Sequence, residues 1–525
     1  MSIPIGTAFI LAFFAGFAYF GRRFLGDLYL ERAIVLGPLT GLIMGDLKTG
    51  LLVGGTMELI FMGASDIGGS VPPNLPVGTT LGTAFAISQG LQLQEALVIA
   101  VPAALLGSFF ELLAKTISTI FVTGAERYAD QGNGGGVALM VHLGNLVHFL
   151  ADFIPTFVGL ALGGQAIAAL SASLPDSLRA GIGVAGNILP ALGFGILLST
   201  LATPALLPWF FLGFVLAAYA KFDVLGVAFV GILIAAIFVI QRGGLQLVRP
   251  AEEAEKEVVS LVPPAARRQI FWRSFALQSA FSFDRMQALG FTWALMPFLK
   301  QIYGNTAEYA RALRRHLTFF NTHMWIPGPI FAMVAELEAR RARNLEEVDV
   351  QSIQAVKGSL MGPLAGIGDS MFHGTLRPLL GGISASLALQ GNPLAPLIFL
   401  FGTNIVHVYV RYSTQNYGFR LGGNLFERID PAGLRRLMES AAIAGLMGVG
   451  GLVGTWLSIT TPLAYTIQNS SVSIQGMLDS IMPKLLPLLT TLLVYWAIRR
   501  GVKTLTIMIV LVIVGLVFGA LKILA

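Results

Sequence analysis

Apolar runs long enough to cross a bilayer recur along the chain, and the polar positions between them form short clusters, not strand-like alternation. The first run, Ile3 to Phe20, is closed by Arg22 and Arg23 and reads as a span and not as a cleaved signal. Others follow at residues 81–113, 137–170, 180–202, 204–220 and 224–241, bounded or interrupted by Pro155, Pro190, Pro204 and Pro208. A transmembrane helix needs about 20 apolar residues, whereas barrel strands read as segments of about ten alternating ones. The pattern therefore predicts an all-α, polytopic integral membrane protein. Glu126–Gly136, ERYADQGNGGG, reads as an aqueous loop.

After Gln241 the pattern breaks. The charged, proline-containing stretch QRGGLQLVRPAEEAEKEVVSLVPPAARRQ predicts a linker at 242–270 between membrane domains at 1–241 and 271–525. Arg242, Arg249, Lys256, Arg267 and Arg268 place it on the cytoplasmic side. The second half begins with amphipathic stretches, FALQSAFSFDRMQALGFTWALMPFLK, AEYARALRRHLTFFNTH and FAMVAELEARRARNLEEVDVQSIQAVKGSL, which read as interfacial or cytoplasmic helices. Apolar runs near 393–409, 438–464, 480–497 and 504–524 complete it. Arg499, Arg500 and Lys503 predict a cytoplasmic turn before the last span, leaving the C-terminus outside.

Two apolar blocks are dense in glycine: Gly41 to Asn74, and Gly358 to Ile383. The first carries Asp46, Lys48, Glu58 and Asp66, each costing about 2.5–3.5 kcal/mol at mid-membrane on insertion scales. Glycine-loosened, carboxylate-bearing apolar sequence predicts discontinuous or re-entrant helices around a polar site. The short echo between Gly41-x-x-Met44-Gly45 and Gly358-x-x-Met361-Gly362 would, if structural, pair two such helices. Glu58 is either a substrate ligand or proton carrier, or a structural carboxylate paired with a base from another helix. Asp66 and Asn74 flank a Gly/Pro turn, as caps or as sugar-hydroxyl ligands. Asp46 and Lys48 read as a turn with a local ion pair.

In the second half, Asp284 and Gln287 are three apart and predicted to share a helix face. Asn321 is predicted to cap the RRHLTFF helix. Asp369 and His373, four apart, are predicted to pair on one face toward substrate; a metal site wants three or four ligands, so no metal is expected.

Composition sharpens this picture. The chain is 55% hydrophobic and 12% charged with mean hydropathy +0.75, against about 25% charged in a soluble domain. With no cysteine, disulfides and thiolate chemistry are excluded. A net charge of +6 fits a cytoplasmic excess of Lys and Arg and asks for no nucleic acid. There is no Walker loop, HExxH or nucleophile elbow, so no catalytic site, cofactor or phosphate-handling loop is expected in the chain itself.

GLIMGDLKTGLLVGGTMELIFMGASDIGG, ADQGN and PWFFLGFVLAAY together resemble the IIC membrane component of mannose-family sugar phosphotransferase systems (PTS). FSFDRMQALGFTWALMPFLKQIY, RALRRHLTFFNTH, GSLMGPLAGIGDSMFHGTLRPLL and IMPKLLPLLTTLLVYW resemble the IID component. The resemblance covers nearly the whole chain and implies IIC and IID, usually separate, fused into one permease of a bacterial inner membrane. It further implies a hexose or amino-sugar substrate, phosphate supplied by separate IIA and IIB proteins, trimeric assembly within lipid and elevator-like movement. Carried over residue by residue, it implies a sugar pocket of Glu58, Asp66, Asn74, Asn321, Asp369 and His373. Mannose members often hold Asn and Asp where this chain has Asp66 and Asn74, and Trp at His373. These departures leave room for a different sugar, or for a facilitator or proton-coupled carrier on the same scaffold. A receptor role, for example for a bacteriocin or phage, would leave no trace in the sequence.

Overall fold

The structure, a computed structural model, describes residues 3–64, 71–173, 175–242, 244, 260–421, 431–467 and 470–525. The first half supplies α1 (Ile5–Phe24), α2 (Ala33–Met44), α3 (Leu47–Ile60), α4 (Leu75–Gln89), α5 (Leu93–Asp130), α6 (Gly134–Ser173), α7 (Asp176–Ile188), α8 (Pro190–Leu201), α9 (Leu207–Ala218) and α10 (Val224–Gln241). The second supplies α11 (Pro264–Ser274), α12 (Ala288–Tyr303), α13 (Ala307–His316), α14 (Gly328–Arg343), α15 (Val350–Gly368), α16 (Arg377–Leu389), α17 (Ala395–Leu421), α18 (Pro431–Thr455), α19 (Ile474–Ile481), α20 (Leu485–Arg499) and α21 (Thr504–Ala520).

Among the described residues six helices are long and apolar enough to cross a membrane: Ile5–Phe24, Leu93–Asp130, Gly134–Gly164, Ala180–Leu201, Val224–Gln241 and Arg435–Thr455. The α19–α20 pair, bent by 74°, is a broken span or a re-entrant loop, and counted as one span it brings the number to seven. The fold is all-α and polytopic, as expected, with one short antiparallel hairpin, Ala464–Ile467 with Ser470–Ser473, as a minor addition. Most of the linker lies outside the described residues, and α11 starts within its last part, burying Ile270 and Phe271.

The glycines of the first block serve close packing. Gly45, left-handed at φ 85°, turns the chain between α2 and α3, and Asp46 caps α3 by accepting from the Thr49 N–H at 3.0 Å. Capping dominates, with Lys48 adding a smaller electrostatic attraction to Asp46. The two helices then touch backbone to backbone. A Cβ on Gly37 would lie 2.5 Å from the Gly54 Cα, and one on Gly41 2.9 Å from the Gly50 Cα. Small residues at such crossings let helices approach closely. Gly358, Gly362 and Gly366 of α15 meet nothing within 4 Å, so the echo between the blocks does not produce a matching crossing.

Packing does not follow the sequence halves. One large apolar cluster joins Tyr29, Ile34, Leu51 and the α5–α6 turn region to α11–α17. Another joins α3–α5 and α7–α9 to α18, α20 and α21. Glycine contacts make these joints: Gly213 and Gly450 seat α9 against α18, and Gly515 and Gly519 seat α21 against α7.

The amphipathic helices enclose a charged hub. Arg315 of α13 donates through Nε and Nη2 to the Glu338 carboxylate of α14 (2.6 and 2.7 Å), and through Nη1 to Glu308 (2.9 Å). His316 (2.8 Å) and the Tyr303 hydroxyl (2.6 Å) complete the shell of Glu338. Arg311, Arg314 and Arg340 face outward.

Candidate functional site

The seam between the halves is where buried charges collect, and a short connection builds it. Between α1 and α2, residues 25–32 turn sharply at Gly26 (φ 89°) and Tyr29 (φ 59°) and insert into the second half. The Leu28 carbonyl accepts from Asn404 Nδ2 at 3.0 Å. Tyr29 is buried against Trp325 and Phe399, ring centroids 5.8 and 5.9 Å away. Asp27 Oδ2 lies 3.2 Å from His373 Nε2.

Arg32 ends this connection and reaches Glu58 of α3, with Nε 3.0 and 3.2 Å from the two carboxylate oxygens. The Ile34 N–H points at the same carboxylate (3.4 Å). Glu58 is therefore a buried carboxylate held by a base, the structural alternative for this residue. From the second half, Arg377 Nη2 donates to the carbonyls of Met62 (3.0 Å) and Ala64 (3.2 Å), in the turn that follows α3.

Two small polar cavities flank the seam, each about 30 Å³, room for a water and far below the space of a ligand pocket. Arg22, Glu31, Arg32, Asn74, Glu111 and Arg377 line the first. There Asn74 caps α4, its Oδ1 accepting from the Val77 N–H (3.0 Å), while its Nδ2 donates to Asp152 of α6 (2.6 Å). The second is lined by Gln287, Asn321, Thr322, His323, Asp369 and His373, among others. Gln287 exchanges two hydrogen bonds with the Thr322 backbone (2.8 and 2.9 Å), pinning the segment that carries Asn321 and His323. Residues 369–376 form a π-helical stretch between α15 and α16. Such bulges are frequent at functional sites. Here the stretch sets Asp369 Oδ1 3.4 Å from His373 Nδ1.

Of the expected site residues, Gln287, Asn321, Asp369 and His373 thus share one cavity, Asn74 lines the other, and Glu58 stands behind Arg32. Asp66 lies outside the described residues. Asp284 and Gln287 do not share a helix face. Residues 281–287 are a turn bridged to Phe320, with Met286 at φ 53°, leaving Asp284 exposed and Gln287 buried. Tertiary pairing has overridden local helix propensity there. Asn321 lies five residues beyond α13, which ends at His316, so it caps nothing. Sequence reasoning passed over Asp27, Arg32, Asp152, His323 and Arg377. Asp27 and Arg32 were visible as charges in GDLYLERA after the first span; only folding brings them to the seam.

His323, Asp369 and His373 bring three ligand-type atoms within 4.8 Å of one another. Their hydrogen bonds favour a polar ligand over a cation. The Trp325 backbone N–H donates to His323 Nδ1 at 3.2 Å, so neutral His323 carries its proton on Nε2 and offers a donor, not a lone pair. That Nε2 is buried without a partner among the described residues. A buried donor beside a carboxylate and two amides suits a hydroxyl-rich molecule.

On the outer face, a groove of about 880 Å³ runs between the Asp130–Gly132 turn and α13, with Arg311 and Arg314 on its wall.

Comparison with known proteins covers both halves. Residues 5–237 match the family described as PTS system sorbose-specific IIC component, and residues 262–524 that described as PTS system mannose/fructose/sorbose family IID component. The fructose permease IID component of Bacillus subtilis (strain 168) is 40% identical over 253 residues, 47% of this chain and 92% of that protein. The mannose-specific EIID component of Escherichia coli (strain K12) is 37% identical over 256 residues, 47% of this chain and 90% of that protein. The sorbose-specific EIIC component of Lacticaseibacillus casei is 31% identical over 216 residues, 41% of this chain and 78% of that protein.

Proposed function

The chain belongs to the mannose/fructose/sorbose family of sugar phosphotransferase systems, with IIC-type and IID-type membrane components in one polypeptide, and from that premise we propose where it holds its sugar. It is the sugar-translocating part of such a system, a multi-pass protein of a bacterial inner membrane, and the family implies IIA and IIB phosphocarriers as partners. The sugar sits at the seam, against Gln287, Asn321, His323, Asp369 and His373 of the second half and Arg32 and Asn74 of the first. The observation that carries this reading is the buried His323 Nε2, without a partner among the described residues, beside Asp369 and His373.

Cavities of about 30 Å³ make the described state a closed one, so a hexose needs relative movement of the elements that meet at the seam. Glu58 supports the sugar through Arg32, and the basic groove at α13 receives the acidic face of a phosphorylated IIB protein. Outward apolar side chains of α5 and α6, among them Leu106, Ile120 and Leu162, meet lipid or neighbouring copies in a homotrimer.

The test is a binding screen of hexoses and amino-sugars on purified protein, followed by transport with and without phosphorylated IIB. The reading expects one sugar to bind, Asp369→Asn to weaken it at least tenfold, as for loss of a hydrogen bond to a charged group, and uptake to require IIB. Uptake indifferent to IIB overturns the coupling.

A second reading, a proton-coupled sugar carrier, is favoured by Asp152. This carboxylate is buried in a membrane-crossing helix, with one oxygen on Asn74 and the other without a partner among the described residues. Intramembrane acids of this kind mark proton relays. Sugar-driven collapse of a proton gradient in vesicles, lost in Asp152→Asn, would select it.

A further inference from the structure

A line of charged groups crosses the seam and joins the two polar cavities. Arg22, on the wall of the first cavity, places Nε 3.5 Å from Asp27 Oδ1. Asp27 Oδ2 stands 3.2 Å from His373 Nε2, and His373 Nδ1 stands 3.4 Å from Asp369 Oδ1 in the second cavity, a charge-pair distance at which Nδ1 makes no hydrogen bond among the described residues in this closed state. Asp27 is fully buried, whereas the Asp369 side chain retains 24% exposure. The imidazole thus has a hidden carboxylate on one side and a ligand-facing carboxylate on the other, and the hidden one comes from the other half of the chain.

We propose that Asp27 is a positioning residue for the sugar site, holding His373 in its charged form so that Nδ1–H anchors one oxygen of Asp369 and leaves the other for a sugar hydroxyl. This rests on the seam reading given above and adds its regulation: affinity falls as rising pH removes the proton from His373. Two observations support the assignment. Asp27 Oδ2 is within hydrogen-bond distance of Nε2, so Asp27 fixes which nitrogen faces Asp369. The His323 ring lies 4.7 Å from His373, and its Nδ1 is committed to the Trp325 N–H, which makes His323 the neutral member of the pair. Tyr29 faces His373 from the α1–α2 connection, Arg377 acts on it from α16, and His407 of α17 acts on Asp27 with Arg22. Arg411 lies beyond His407, with Nε 3.2 Å from His407 Nε2.

A carboxylate beside an ionisable group shifts its titration by about one to three units, and removing it returns the group toward its unpartnered value. Asp27→Asn should therefore move His373 to a lower midpoint by about one unit or more. Sugar affinity at pH 7.5 should fall, recover on acidification, and be restored at pH 7.5 by Asp27→Glu.

Two readouts on the full-length protein test this. The first is the pH profile of sugar affinity in wild type, Asp27→Asn and Asp27→Glu. The second is ¹⁵N NMR of histidine-labelled protein without sugar, with His373 assigned by its loss in His373→Gln. A lower His373 midpoint in Asp27→Asn supports the proposal, and an unchanged midpoint overturns it. Because the nitrogen signal needs no ligand, it decides the role of Asp27 even if no sugar binds, the outcome that defeats the seam reading instead. If sugar binds and its affinity in Asp27→Asn falls equally at every pH, Asp27 merely supports the fold and the proposal is overturned.

Discussion

Glu58→Gln removes the charge around which Arg32 is folded. Both groups are buried, Glu58 at 1% and Arg32 at 4% exposure, and the guanidinium makes its close contacts to this carboxylate. Truncating one member of a buried ion pair costs about 3–5 kcal/mol, because the surviving charge stays out of water. Unfolding entropy of about 2.1 cal/mol/K per residue over a chain of 525 residues gives about 1.1 kcal/mol/K, so the expected loss is about 3–5 °C in Tm. Replacing both partners by apolar residues of similar volume leaves no stranded charge and is often near neutral. Arg32→Met/Glu58→Met should then recover most of the loss. The assay is thermal unfolding in one fixed detergent, followed by tryptophan fluorescence and by the monodisperse fraction on gel filtration. An unchanged Tm in Glu58→Gln, or a double variant less stable than either single one, would refute the reasoning.

Other outcomes follow from the same packing. Glu338→Gln strands Arg315 beside Glu308 alone and should lower Tm by about 3 °C or more. Burial alone would raise the Glu338 carboxyl, yet hydrogen bonds from Arg315 and His316 hold it well below the ordinary carboxylate range. Its contribution is thus full above the unfolded value and lost as pH falls below about 4.5; a wild-type Tm flat from pH 6 to 3 contradicts this. Gly50→Val pushes a side chain into the Gly37 and Gly41 backbones and should disperse or aggregate the protein on gel filtration, whereas Gly358→Ala, in open space, should leave its profile unchanged. The chain cut near Val258 and co-expressed as two pieces should co-purify, because both large apolar clusters draw on both halves; pieces that separate in mild detergent contradict shared packing.

The membrane class, the helical runs and the Asp369–His373 pair of the candidate site were legible because they are local properties. Hydropathy reports each run directly, and Asp369 and His373 lie within one turn of each other, so their pairing needed only helix geometry. The glycines of 41–54 were legible as unusual but not in their purpose, since whether a glycine breaks a helix or admits a neighbour depends on what lies opposite. The Asp284–Gln287 turn was misread as helix because its partner, Phe320, lies over 30 residues away. Asp27 and Arg32 follow the first span as unremarked charges in sequence; their burial depends on an insertion into the second half that no local pattern encodes. The halves themselves are contiguous in sequence and interleaved in space, a property of packing alone.

The central claim is that sugar is held at the seam by groups from both halves. The most direct test is a cryo-electron-microscopy map of the protein with its bound sugar. The account predicts density in an enlarged cavity, within hydrogen-bond distance of Asp369 and His323 on one side and of Arg32 or Asn74 on the other. Sugar density confined to one half, or lying in the groove beside Arg311 and Arg314, would contradict it.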